Sequence, residues 1–119
     1  MQIKWHIEYY ESSVGSKPVE EFINSLEEKA RSKVTRTLEL LEEFGIKVGL
    51  PHAKKLIEIP LWELRILGSD SLRIFYITKE KQSFLLLHAF KKKKQKTDKK
   101  EIKVALERLK EYNSRKKLS

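Results

Sequence analysis

A chain of 119 residues is long enough for one hydrophobic core, and its make-up, 39% hydrophobic with 4 glycines and 3 prolines, excludes a disordered or collagen-like polymer. It has no cysteine, which excludes disulfides and thiolate metal sites, and its three histidines are scattered without an HExxH pattern, so no metal or other cofactor is expected. The net charge of +9 lies at one end: residues 1–90 hold 13 basic and 13 acidic residues, residues 91–119 hold 13 and 4, and such a basic block on a neutral body is the footprint of a polyanion partner or a solvated, solubilising segment.

The N-terminus alternates, with Ile3, Trp5, Ile7 and Tyr9 against Lys4, His6, Glu8 and Tyr10, which predicts a half-buried strand. It lacks the continuous apolar core of a signal peptide, and no apolar run reaches bilayer length, so the chain reads as a soluble cytoplasmic protein with no membrane partner. "ESSVGSKP" breaks the strand, and Ser16 is placed to cap a helix opening around Pro18, with Glu20 and Glu21 in its first turn. Val19, Phe22, Ile23 and Leu26, then Val34, Leu38, Leu41 and Phe44, keep helical spacing up to Gly45, a C-cap candidate. The length of this pattern predicts two helices with a bend near 26–30, or one bent helix.

After the turn-rich "IKVGLPHAKK", strand-like runs occupy 55–67 (a pair split at Pro60), 72–78 and 83–90, with "LGSDS" and "KEKQ" as polar turns at hairpin spacing. Asp98 followed by Glu101 has the form of a capping box, and Ile102, Ala105, Leu106, Leu109 and Tyr112 line one face of a final helix. Residues 91–100 therefore connect a strand to a helix and are anchored at both ends. The fold class is α+β: strand, helical hairpin, antiparallel sheet, C-terminal helix. Residues 1–112 form the single domain and 113–119 a flexible basic tail.

The strand patterns put Trp62, Leu64 and Ile66 on one face with Glu63 and Arg65 on the other. Leu72, Ile74 and Tyr76 likewise oppose Arg73, and His88 is grouped with Leu86 and Phe90. A sheet backed by helices on one side leaves an open face, where Arg65, Arg73 and His88 converge beside the lysine connector if the register allows. Taken singly, each has a plainer reading: strand arginines snorkel, and a histidine beside phenylalanine is more often packed than catalytic. Trp5, Trp62, Phe75 and Phe84 read as core rather than base-stacking residues, and His6 and His52 as structural or surface ones.

Together, the order "PVEEF…LEEKARSKVTRTLELLEEFG…PHAKKL…LWELRI…LRIFY…FLLLHAFKKKKQKTDKKEIKVALERLKEY" resembles the phage-derived Gp49-like, HigB-type group of the RelE/ParE toxin superfamily, over roughly Trp5 to Tyr112. The resemblance implies the toxin of a type II toxin–antitoxin system: an RNA-binding hydrolase, specifically a ribosome-dependent mRNA endonuclease (mRNA interferase). Its implied partners are the ribosome, mRNA and a helix-turn-helix, HigA-like antitoxin. Arg65 falls in the ELR strand, Arg73 in the strand after the turn, and His88, Lys91 and Lys92 at the end of the last strand. Gln95, Lys96 and Thr97 match the connector motif, while Asp98 stands where many relatives have proline, and four consecutive lysines replace a mixed sequence.

Metal-free RNA cleavage needs a base for the 2′-hydroxyl, cations for the phosphate and an acid for the leaving 5′-oxygen. Arg65 and Arg73 suit the phosphate because a guanidinium forks onto two oxygens and stays charged. His88 suits acid or base duty, and Lys91 or Lys92, crowded by like charges, is a second candidate base. The predicted catalytic set is Arg65, Arg73, His88, Lys91 and Lys92. Lys93, Lys94, Gln95, Lys96 and Lys99 are predicted to hold the RNA backbone. The alternatives are a ParE-like inhibitor of gyrase and a non-catalytic module that binds RNA, ribosomes or the antitoxin.

Overall fold

The computed structural model describes residues 4–45, 53–56, 59–69, 71–80, 82–93 and 99–118. The elements follow the order β1 (His6–Tyr9), α1 (Pro18–Asn24), α2 (Glu28–Phe44), β2 (Ala53–Lys55), β3 (Trp62–Arg65), β4 (Leu72–Lys79), β5 (Ser83–Lys91) and α3 (Lys99–Leu118). This is the α+β class and element order that the sequence predicts.

The helical stretch is two helices. Pro18 opens α1, where its missing N–H costs no hydrogen bond. The Ser16 hydroxyl does not cap that helix; it engages the Glu21 carboxylate at 3.1 Å, and Lys17 is the capping residue. Extended backbone at Glu27 separates α1 from α2. At the far end of α2, Gly45 adopts φ +64, and a Cβ there would lie 2.2 Å from the Trp5 ring nitrogen. The backbone N–H of Trp5 also donates to the Glu42 carbonyl at 2.7 Å, so the C-terminus of α2 is tied to the entry of β1.

β2 to β5 form the expected antiparallel meander. β1 returns to pair in parallel with β5, giving the order β1-β5-β4-β3-β2. The first predicted strand thus lies beside the last one, an arrangement only long-range packing creates.

Both faces of the sheet are covered, which corrects the expectation of an open face. On one side α1 and α2 supply Val19, Ile23, Val34, Leu38 and Leu41 to a cluster with Leu64, Ile66, Leu72, Ile74, Tyr76, Phe84 and Leu86. On the other, Ala105 and Tyr112 of α3 pack on Phe75, Leu85, Leu87 and Phe90, with Ile102, Leu106 and Leu109 partly buried beside them. The apolar stripe read for the last helix is the one that seats it. α3 also continues through Leu118, so the stretch expected as a loose tail is helical to that point. There Arg115 pairs with Glu111 and donates to the Glu11 carbonyl.

Candidate functional site

The α3 side of the sheet gathers polar residues where β3 ends and β4 begins. Arg65 and Arg73 are direct cross-strand partners, and Arg73 in turn faces Phe90 on β5. Residues directly opposite on antiparallel strands hold their Cβ atoms roughly 4.5–5.5 Å apart, and like charges there oppose one another. The next row runs Lys54, Glu63, Phe75 and His88 across β2, β3, β4 and β5. Arg65, Arg73 and His88 therefore share one face, and the two arginines are adjacent on it.

Their environments differ. Arg65 is exposed, whereas Arg73 is 7% exposed. Arg73 spends one Nη1 hydrogen on the Leu72 carbonyl at 3.0 Å, and its Nε has no hydrogen-bond partner among the described residues. Glu63, diagonal to Arg73 on the same face, is 5% exposed, and its Oε2 is likewise without a partner among the described residues. Burying a guanidinium with an idle donor beside a second guanidinium is unfavourable unless an anion is to be received. The turn that carries Arg65 away is fixed from α2. The Thr37 hydroxyl donates to the Lys33 carbonyl and accepts the Leu67 N–H, and the Lys33 ammonium donates to the Gly68 carbonyl at 2.7 Å.

His88 reaches this face through a β-bulge. Phe75 pairs with His88 but Tyr76 pairs with Leu86, so Leu87 is an extra residue on β5. Leu86 consequently faces α1 and α2, and His88 does not share its face as strict alternation predicts. The imidazole stacks on Phe90, ring centroids 5.4 Å apart. Its Nε2 lies 2.8 Å from Glu101 Oε1 and its Nδ1 3.2 Å from Arg108 Nη1, while the same Arg108 nitrogen donates to the Leu87 carbonyl at 2.8 Å. A guanidinium can only donate, so Nδ1 accepts and Nε2–H is the donor to Glu101. That geometry calls for a neutral ring. Burial pushes the His88 pKa down from 6.5; the Glu101 hydrogen bond opposes this and the Arg108 charge reinforces it.

Glu101 and Arg108 escaped the sequence reading, which gave Glu101 to a helix cap. Their signal was position: 101, 105, 108 and 112 lie on one helical face, so two charged residues interrupt the apolar stripe of α3.

The predicted lysines divide. Lys91 is the cross-strand partner of Leu72, which packs toward α1 and α2, so Lys91 lies on the side away from Arg73. Lys92 extends the ladder by donating its N–H to the Ser71 carbonyl at 2.6 Å, and alternation returns it to the arginine face. Lys93 and Lys99 are exposed, the latter opening α3. Lys94, Gln95 and Lys96, with Thr97 and Asp98, lie outside the described residues.

The class these features define is a small α+β protein whose mixed sheet is covered on both faces and carries a paired-arginine site beside its C-terminal helix. A family model, Phage derived protein Gp49-like (DUF891), matches residues 21–110. The chain belongs to that family, the one its motifs resemble, and the match is consistent with the RelE/HigB type. No curated protein matches the chain. Among the described residues no helix is long and apolar enough to cross a membrane.

Proposed function

We propose that this protein is the toxin of a toxin–antitoxin pair and cleaves mRNA on the ribosome. The observation that carries the reading is the Arg65–Arg73 pair, directly opposed across β3 and β4, one member buried with an idle Nε donor. Such a site offers fixed donors and two permanent charges to a phosphate.

In the reaction the 2′-oxygen loses its proton to water and bonds to the adjacent phosphorus, the bond from phosphorus to the 5′-oxygen breaks, and that oxygen gains a proton from water. Arg73 and Arg65 hold the phosphate and stabilise its added charge. Lys92 is the strand-end lysine on their face and supports that charge, while Lys91, on the other side, is left to contact the RNA backbone with Lys93 and Lys99. On this reading His88 is a positioning residue, because both ring nitrogens are engaged by α3. It sets α3 and, through the bulge, the end of β5 that carries Lys92.

The test is induced expression of wild type and Arg73→Ala in a bacterial host, following growth and primer extension on abundant messages. Growth arrest with new 5′ ends inside translated frames, both lost in Arg73→Ala, is the expected result. Arrest without such cuts turns the reading to gyrase inhibition or plain ribosome binding. Cleavage of purified mRNA without ribosomes would overturn the ribosome dependence alone.

A further inference from the structure

β1 lies at the edge of the sheet, and its outer side faces a groove. The N–H groups of His6 and Tyr10 donate to the Gln82 and Leu86 carbonyls of the β5 side, at 2.8 and 3.0 Å. By alternation those of Trp5, Ile7 and Tyr9 point outward, and the Trp5 N–H is taken by the Glu42 carbonyl. Ile7 and Tyr9 thus turn backbone donors and acceptors to the outside, two residues apart, the spacing at which another strand pairs.

The groove has about 540 Å³ and is lined by Ile7 and Tyr9, which pack toward α1 and α2, and by Glu8 and Tyr112, which lie on the α3 side. Only a groove along the strand edge touches residues of both faces. Lys17 and Arg115 stand in its walls with Glu8 and Glu11; Glu8 is paired with Lys79 at 2.6 Å, Lys17 lies 3.8 Å from Glu11, and Arg115 is paired with Glu111. We propose that this edge receives an extended segment of a partner polypeptide, acidic overall to match the +9 of this chain, which joins the sheet as a sixth strand beside β1. Main-chain pairing supplies the affinity and the groove walls select the side chains.

A polypeptide fits better than the other occupants. Paired N–H and C=O groups match a peptide backbone and not a phosphate chain. A second copy would bring another +9 against this one. The proposal takes that partner to be the antitoxin and so rests on the toxin reading above.

The experiment is hydrogen exchange on the full chain, alone and co-purified with the antitoxin that the toxin reading implies, together with binding by Ile7→Pro and Ile7→Val. Proline at position 7 removes an outward N–H and no ladder bond of β1 with β5, so the fold tolerates it as edge strands do; valine controls for the altered side chain. Slowed exchange at Ile7 and Tyr9 in the complex, with binding weakened roughly tenfold or more by Ile7→Pro and little changed by Ile7→Val, is the expected result. Unchanged exchange at both amides, absence of a complex, or equal binding by the proline variant overturns the proposal. So does protection that grows with concentration of the chain alone, which assigns the edge to a second copy. If Ile7→Pro does not fold, the wild-type exchange data decide by themselves. RNA cleavage by the free protein is scored separately, so loss of the nuclease reading and loss of the docking edge are told apart.

Discussion

Toward α1 and α2 the sheet presents an apolar surface, Leu64, Ile66, Leu72, Ile74, Tyr76, Phe84 and Leu86, with Trp5 and Trp62 at its margin. Toward α3 it is apolar around Phe75, Leu85 and Leu87 but carries Glu63, Arg65, Arg73 and His88 where β3 and β4 meet their turn. One face is assembled for stability. The other accepts opposed guanidiniums and a buried carboxylate, arrangements that packing would not select. Among the described residues the one buried polar oddity on the first face is mild: the Tyr76 hydroxyl lacks a partner, and burial pushes its pKa up to about 12, so it stays neutral.

This contrast predicts that mutations on the two faces fail in different ways. The largest loss of stability is expected from Phe84→Ala. The ring is fully buried, stacked on Trp5 at 4.7 Å and edge-on to Tyr76 at 5.4 Å. Its removal should cost about 3–5 kcal/mol, a large part of the total for a domain of this size, read as a drop in the urea midpoint. Any loss of toxicity would then follow the loss of folded protein.

Arg73→Ala should do the reverse. Mutations that remove one preorganised donor at a developing charge slow catalysis by roughly 10²–10³-fold. Because Arg73 Nε is idle and Arg65 stands opposite, the urea midpoint should hold or rise slightly. Arg73→Lys should restore little, since an ammonium lacks the forked geometry. A midpoint that fell as far as in Phe84→Ala would make Arg73 structural and erase the contrast.

His88→Ala tests the junction between the two regimes. It leaves Glu101 Oε1 and Arg108 Nη1 without their ring partner in a largely buried setting, for an expected cost of about 1–3 kcal/mol by denaturation. As a positioning residue its cleavage defect should be smaller than that of Arg73→Ala, and His88→Gln, which keeps a donor toward Glu101, should recover part of it. A defect equal to Arg73→Ala in both variants would return His88 to the acid–base role.

Much of this was legible in the sequence. Period-two runs gave the faces of β3 and β4 correctly, and helical spacing gave α1, α2 and the seat of α3, because in each case one face of an element meets one core. The adjacency of Arg65 and Arg73 needed only a hairpin register. What escaped depends on other parts of the chain. The pairing of β1 with β5 is non-local, and the bulge at Leu87 sits in "LLLHAF", where no glycine marks it. The two-sided cover did leave a trace. "LRIFYI" and "FLLLHAF" are near-continuous apolar runs, the mark of strands buried on both faces, whereas a strand with one open face shows strict alternation.

The smallest expected effect is a pH dependence confined to the α3 face. The folded state holds His88 below its ordinary pKa of 6.5, through burial and the Arg108 charge. Between that lowered value and 6.5 the unfolded chain binds the proton more readily. The stability His88 contributes is therefore complete above about pH 6.5 and is lost as pH falls through the folded-state value. Glu8 and Glu111 are also held below their ordinary 4.5, so their share is lost only in more acid solution and does not overlap the first part of the decline. Thermal melts at pH 7.5, 6.5 and 5.5 should show a decline of at most about 1.4 kcal/mol per pH unit. His88→Gln should flatten it, whereas Phe84→Ala, on the apolar face, should lower the whole curve without changing its slope. An equal slope in His88→Gln would place the titrating group elsewhere and remove the evidence that the ring is held neutral between Glu101 and Arg108.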